Sequence, residues 1–242
     1  MLRTLLHDDH EHYDSDGFRL RGLGFSRLDG FSDVVFGFAL TLLVVSLEVP
    51  RDFGELHHLL AGFVPFGVSF LLLMLVWFGH FNIFRRLGTH DAGTLWLNGM
   101  LLFVILFYVY PLKFLFLSAF GQSGQLEIGK MQELVVLYAG GFATIYYLFA
   151  ALYANGYRQR EALQFTPLER GLTRNFILEE SGTATIGVLV CIVAVTMPGR
   201  AATACLLFLL IAPWKSYMGY RCGHLKRSMD AQADAIQQPQ TE

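Results

Sequence analysis

Six long apolar runs separated by short polar stretches set the pattern of this chain. The first enters through Arg27, Asp29, Ser32 and Asp33, runs from Gly30 to Val49, and between Val34 and Val45 carries no charge and a single hydroxyl, Thr41. The second covers Leu59 to Phe84 and stops at Arg85 and Arg86. The third covers Thr94 to Phe120, the fourth Glu133 to Asn155, the fifth Ile177 to Met197, and the sixth Ala201 to Tyr220. Each offers the roughly 20 apolar residues that cross a hydrocarbon core of about 30 Å. The pattern predicts an all-α membrane protein with six transmembrane helices per subunit. Residues 1–24 read as an N-terminal tail, 25–222 as the transmembrane domain and 223–242 as a C-terminal tail, partly helical and then disordered.

The breaks between runs carry their own signals. Gly121 to Lys130 reads as a turn or short loop, and Pro198-Gly199-Arg200 as a tight turn. Thr166-Pro167-Leu168-Glu169 reads as a helix start with proline in the first turn, placed in the most polar internal segment, Gly156 to Asn175. No internal duplication is visible, so the subunit reads as one six-helix unit.

Charge distribution orients the chain. Six spans place both termini on one side, and that side collects 14 of the 18 Lys and Arg; the other side receives Arg51, Lys113, Lys130 and Arg200. The excess of cations predicts cytosolic termini for a multi-pass protein of the bacterial inner, or plasma, membrane. The N-terminal run MLRTLLHDDHEHYDSDGF lacks the apolar core of a signal peptide. Its His7, Asp8, Asp9, His10, Glu11 and His12 include ligand types that suit transition metals, but the run reads more simply as a solvated, flexible tail.

Composition narrows the function. With 54% hydrophobic residues and 22 Phe, the chain is too apolar for a soluble domain of its length. A net charge of -2 says nothing about partners, and no basic tract or Gly-rich phosphate loop points to nucleic acid or nucleotides. Cys191, Cys205 and Cys222 have no metal-ligand spacing and read as small buried hydrophobes. No metal or other cofactor is expected, and the lipid bilayer is the expected surrounding.

The first helix shows distinct faces. At about 100° per residue, Phe38, Thr41 and Val45 fall within about 60° of one another, with Glu48 near the same line, while Asp33 points about 140° away. Gly30 and Gly37 form a small-residue seam that lets another helix approach. On the residues alone, the Phe38 stripe reads first as the apolar surface of a helix buried among its neighbours. Ionisable groups such as Arg27 and Asp33 are costly in a membrane unless paired. Asp33, turned from the stripe, reads as a packing group whose partners lie on the next two helices. Trp77, His80, Trp96 and Asn98 supply polar groups at similar depth, and the two tryptophans also suit the membrane interface.

Arg27, Phe31, Ser32 and Asp33 make an R-x-x-x-F-S-D pattern at the head of the first span, followed by Ala39, Thr41, Leu42, Leu43 and Val44. This resembles the signature of the transmembrane protein 175 family of potassium channels. The resemblance implies a homotetramer whose first helices surround a central pore, with Trp77, His80 and Asn98 supporting the motif. It also implies a narrowest ring five residues after the motif Asp, here Phe38 where Ile or Leu is usual, and a hydroxyl at Thr41 that favours potassium over sodium. A second His common in relatives is absent here, where Phe81 and Asn82 stand.

The function expected from that resemblance is a potassium-permeable channel with a hydrophobic constriction, open to other monovalent cations. No T-V-G-Y-G filter occurs in the chain, so selectivity falls to pore width and the Thr41 hydroxyl. The alternative is a proton-coupled secondary transporter of a small solute or ion, with Asp33 and His80 as the relay; it lacks the inverted repeats and interrupted helices common in transporters. A membrane-embedded enzyme needs converging catalytic groups. H-E-x-x-H, G-x-S-x-G and paired intramembrane acids are not seen, Glu179 and Glu180 being read at a cytosolic edge.

Overall fold

A computed structural model describes residues 12–24, 26–45, 63–119 and 128–237 of the chain. Helices dominate it: α1 (Arg27–Val45), α2 (Phe63–Leu87), α3 (Ala92–Ala119), α4 (Ile128–Arg158) and α5 (Pro167–Thr196). The last rod is built from α6 (Ala201–Ala204), a 3-10 stretch (Cys205–Leu210) and α7 (Ile211–Gln237). Five of these long apolar segments are sufficient to cross a membrane: 66–87, 92–109, 129–158, 167–196 and 201–229. α1 is described over 19 residues, about 28 Å of axis at 1.5 Å per residue.

The chain packs as neighbours in sequence order. α1 lies against α2 and α3, α3 against α4, and α4 forms its longest pairing with α5, which in turn meets α7. The main core joins all of these through Phe36, Leu43, Leu101, Ile105, Phe149 and Leu172. A second, smaller core at the opposite end joins α4, α5 and α6 through Val135, Ala139, Val190, Ala194, Ala201 and Ala204. Its alanines bring backbones close, the way membrane helices gain contact where lipid is as apolar as leucine.

α4 and α5 are longer than a span needs, at 31 and 30 residues. Both project past the membrane at the end where α5 begins, and the expected span start at Ile177 is ten residues inside the real helix. The reason is the cap. Thr166 accepts from the Glu169 N–H, Glu169 accepts from the Thr166 N–H, and Pro167 fills the first turn, so the helix starts in the polar segment itself. The 3-10 stretch also has a local cause. Pro213 has no N–H, and its ring clashes with the carbonyl four residues back, Leu209, which tightens the turn just ahead of it.

Residues 12–22 are not a solvated tail. Asp14 N–H donates to the Phe18 carbonyl, Leu20 N–H donates to the His12 carbonyl, and Tyr13 pairs with Arg19, closing a small hairpin. Phe18 is 0% exposed, its ring edge-on to Phe165 and tilted against Phe176. At the far end, α7 continues to Gln237, so much of the expected C-terminal tail extends the sixth helix, and Lys226 Nζ donates to the Ser15 carbonyl of the hairpin. The His/acid run from His7 to Glu11 lies outside the described residues.

Candidate functional site

α1 divides its residues between two sides. Ser32, Val35, Phe36, Ala39 and Leu43 are buried against α2 and α3. Phe31, Val34, Phe38 and Thr41 are exposed, with Phe38 at 63%. Their spacing of three, four and three residues traces a single helix face. Gly37 has open space beside it, so the seam it was expected to form is not used within the subunit. The Val45 side chain and all of Glu48 lie outside the described residues.

The buried side of α1 is held by a chain of polar groups. Ser32 Oγ donates to the Leu28 carbonyl at 2.8 Å, Asn98 Nδ2 donates to Ser32 Oγ at 2.9 Å, and His80 Nε2 stands 2.8 Å from Asn98 Oδ1. Because that amide oxygen only accepts, the imidazole carries its proton on Nε2. All three side chains are almost fully buried, and His80 is packed between Phe36 and Phe84. Buried polar groups in a membrane protein must be satisfied from within. Three helices meet this demand together, which fixes the rotation of α1 about its own axis.

A second contact fixes its tilt. Trp77 Nε1, on α2, donates to Asp33 Oδ1 at 2.9 Å. Asp33 therefore points at α2 and away from the Phe38 face. Asp29 turns back to its own helix start, where Oδ2 accepts from Ser26 Oγ at 2.7 Å.

Of the residues expected in this network, Ser32, Asp33, Trp77, His80 and Asn98 are brought together. Arg27, Phe31 and Trp96 are not. Trp96 is 75% exposed, Phe31 and Arg27 are also on the outside, and none of the three makes a polar contact among the described residues. Trp96 lies on the outer face of α3, two residues from the buried Asn98, and a two-residue step on a helix turns a side chain through about 200°.

Several supporting pairs were not legible in the sequence. Glu169 is 1% exposed; its two oxygens accept from Arg21 Nη1 and Nη2 at 2.7 and 2.9 Å, and it also accepts from the Arg19 N–H. Arg86 Nη2 donates to Asp14 at 2.7 Å and Asp16 at 3.1 Å, while its guanidinium lies over the Phe176 ring. These two arginines clamp the N-terminal hairpin to the helix ends. Gly22 allows the clamp, since a Cβ there would collide with the Phe84 carbonyl oxygen. Gly88, with φ +60, turns the chain out of α2 directly beside Arg21.

Asp91 caps α3 and ties it to α4. It accepts from Gly93 N–H, Thr94 Oγ1, Asn155 Nδ2 and Gln159 Nε2. Burial alone would raise its pKa, but these donors outweigh it and hold the carboxyl below the ordinary 3.8.

Glu179 and Glu180 lie 12 and 13 residues into α5, beside the expected start of the apolar span at Ile177. Lys215 Nζ donates to Glu179 at 2.9 Å and stands 3.6 Å from Glu180. Lys215, counted by charge with the C-terminal end, is thus a bundle residue, its ammonium near the Tyr146 ring.

Comparison with known proteins follows the same residues. Residues 27–108, which hold α1, α2 and the Asn98 end of α3, match the family model described as endosomal/lysosomal potassium channel TMEM175. A potassium channel of Marivirga tractuosa is 31% identical over 214 residues, 83% of this chain and 81% of that protein. A potassium channel of Chamaesiphon minutus is 31% identical over 93 residues, 35% of this chain and 46% of its own length. Among solved structures, a threonine-to-alanine variant of the potassium channel MtTMEM175, bound to a nanobody–MBP fusion, superposes with a TM-score of 0.76 at 27% identity. That match covers 88% of this chain and 100% of the other. A TMEM175 homologue from Chamaesiphon minutus shares the fold, with a TM-score of 0.57 at 20% identity over 79% of this chain and 96% of that one. The chain is a multi-pass membrane protein and belongs to the TMEM175 family of potassium channels.

Proposed function

We propose that this chain assembles as a homotetramer in the bacterial plasma membrane, with both termini cytosolic, and conducts potassium through a pore lined by α1. The observation that carries the reading is the outward face of α1. It presents Phe31, Val34, Phe38 and Thr41, while the opposite face is locked inside the subunit by Ser32, Asn98 and His80. A helix pinned in this rotation offers the same surface to every copy around an axis.

In such an assembly four Phe38 rings form the constriction. A narrow apolar ring resists wetting, and ions pass when it widens. The ring faces, being electron-rich, would meet a dehydrated cation more favourably than an aliphatic side chain does. Thr41 lies one turn further along. Its hydroxyl proton is engaged with the Phe38 carbonyl at 2.8 Å, leaving oxygen lone pairs to face a cation. The sequence spacing of Val45 and Glu48 extends the same stripe, and a carboxylate field at the pore mouth would gather cations. With no T-V-G-Y-G sequence in the chain, discrimination rests on pore width and this hydroxyl, and other monovalent cations pass as well.

The test is a potassium-gradient flux assay on the purified, reconstituted chain, with its subunit number measured by mass in the same preparation. Potassium flux from a tetramer supports the reading. A well-folded monomer, or a tetramer without cation flux, removes it.

A further inference from the structure

α5 and α7 leave a groove between them near the end where α5 begins. Gly171, Arg174, Asn175 and Leu178 of α5 face Tyr217, Tyr220, Arg221 and His224 of α7 across it, and among the described residues no carboxylate lines it. Both rows follow the three- and four-residue spacing of a helix face, so the groove is a continuous furrow between two rods. It lies away from α1, which packs on α2 and α3.

The depth of each residue suits a headgroup. Counting about 20 residues back from Thr196 and forward from Ala201 puts the edge of the hydrocarbon core near residues 177 and 220. Arg174 and Arg221 stand just outside this edge, one on each helix. Leu178 and Tyr217 stand just inside it and are exposed. Tyr217 and Tyr220 are at the level where aromatic residues meet the interface. Arg174 is held ready: its Nε donates to the Tyr157 hydroxyl at 2.7 Å and its guanidinium lies 5.2 Å from that ring's centre. Its Nη groups have no partner among the described residues, and neither has the Arg221 guanidinium. Two guanidinium groups lining one groove match a phosphate, for which paired N–H donors are well shaped.

We propose that this groove binds the phosphodiester headgroup of an anionic phospholipid in the leaflet at that face, with an acyl chain running over Leu178 and Tyr217. Basic pockets between helices at a membrane face bind such headgroups.

Native mass spectrometry of the full chain in neutral detergent tests this, with phosphatidylglycerol titrated against phosphatidylcholine. The wild type should retain phosphatidylglycerol preferentially, and Arg174→Ala/Arg221→Ala should lower that preference by about tenfold or more. Ser228→Glu, which adds a carboxylate to the groove and removes no arginine, should lower it too, so the proposal does not depend on the double variant folding. Arg200→Ala, outside the groove, should leave the preference unchanged. Retained preference in both groove variants, or an equal loss in Arg200→Ala, overturns the site. Inorganic phosphate at millimolar concentration should not displace the lipid; binding of phosphate with no preference between the lipids would overturn the lipid assignment in favour of a free anion.

Discussion

Trp77 Nε1 donates to Asp33 Oδ1 across 2.9 Å, joining the second helix to the only carboxylate of α1 that reaches another helix among the described residues. The indole gives the carboxylate its donor, and the carboxylate gives α2 a fixed purchase on α1. Each group explains why the other is tolerated at that depth.

Trp77→Phe keeps the ring and removes the donor. It should destabilise the folded protein by about 0.5–1.5 kcal/mol, the usual net worth of one hydrogen bond, read as a lower Tm in detergent. Asp33→Asn should lower the yield of assembled tetramer without changing the potassium-to-sodium ratio of what assembles. A changed ratio in intact tetramers would place Asp33 in the ion path.

Asn98→Leu fills a similar volume but removes the donor to Ser32 Oγ, which keeps its bond to the Leu28 carbonyl, and strands the buried His80 Nε2. The loss should exceed that of Trp77→Phe, at about 2–4 kcal/mol for one lost hydrogen bond and one buried group left unpaired. Urea or thermal unfolding of the two variants side by side checks the order.

Glu169→Gln leaves the Arg21 guanidinium in place without its counter-charge. Breaking a buried pair in this way typically costs about 3–5 kcal/mol. Because the pair holds the N-terminal hairpin, hydrogen exchange at residues 12–22 should speed up before exchange in α5 does. Uniform protection in the variant would mean that Phe18 and the Arg86 contacts hold the hairpin without this pair.

Asp91 sets a pH dependence. Its carboxyl titrates below its ordinary 3.8 in the folded protein, so the stabilisation is complete at neutral pH and is lost as pH falls below that ordinary value toward the lowered one. Asp91→Asn should be less stable at pH 7 by about 0.5–2 kcal/mol, the usual worth of an N-cap. It should also lose less on acidification than the wild type does. Parallel melting curves from pH 7 to pH 3 check both statements.

Much of the architecture was legible in the sequence because its signals are local. Apolar runs mark the helices, and Thr166 to Glu169 carries its capping box within four residues. The grouping of Ser32, His80 and Asn98 was readable from their common depth near the ends of neighbouring spans. Other features depend on distance in the chain. Arg21 and Glu169 are separated by 148 positions, and no local pattern links them. The docking of residues 12–22 was hidden because an acidic, His-rich run precedes it, although Phe18 and Leu20 at alternate positions hinted at a buried edge. The pairing of Glu179 and Glu180 with Lys215 was hidden for the same reason, since the cation sits on another helix.

The most direct measurement of the central claim is cross-linking at Phe38. In a background with Cys191, Cys205 and Cys222 replaced by Ala, Phe38→Cys is treated in membranes with a short bifunctional maleimide and run on a denaturing gel. If the Phe38 face of α1 surrounds a shared axis, linked species appear, while Val195→Cys on the outer face of α5 stays monomeric. Monomer alone from Phe38→Cys, in protein that still assembles, would contradict the pore reading.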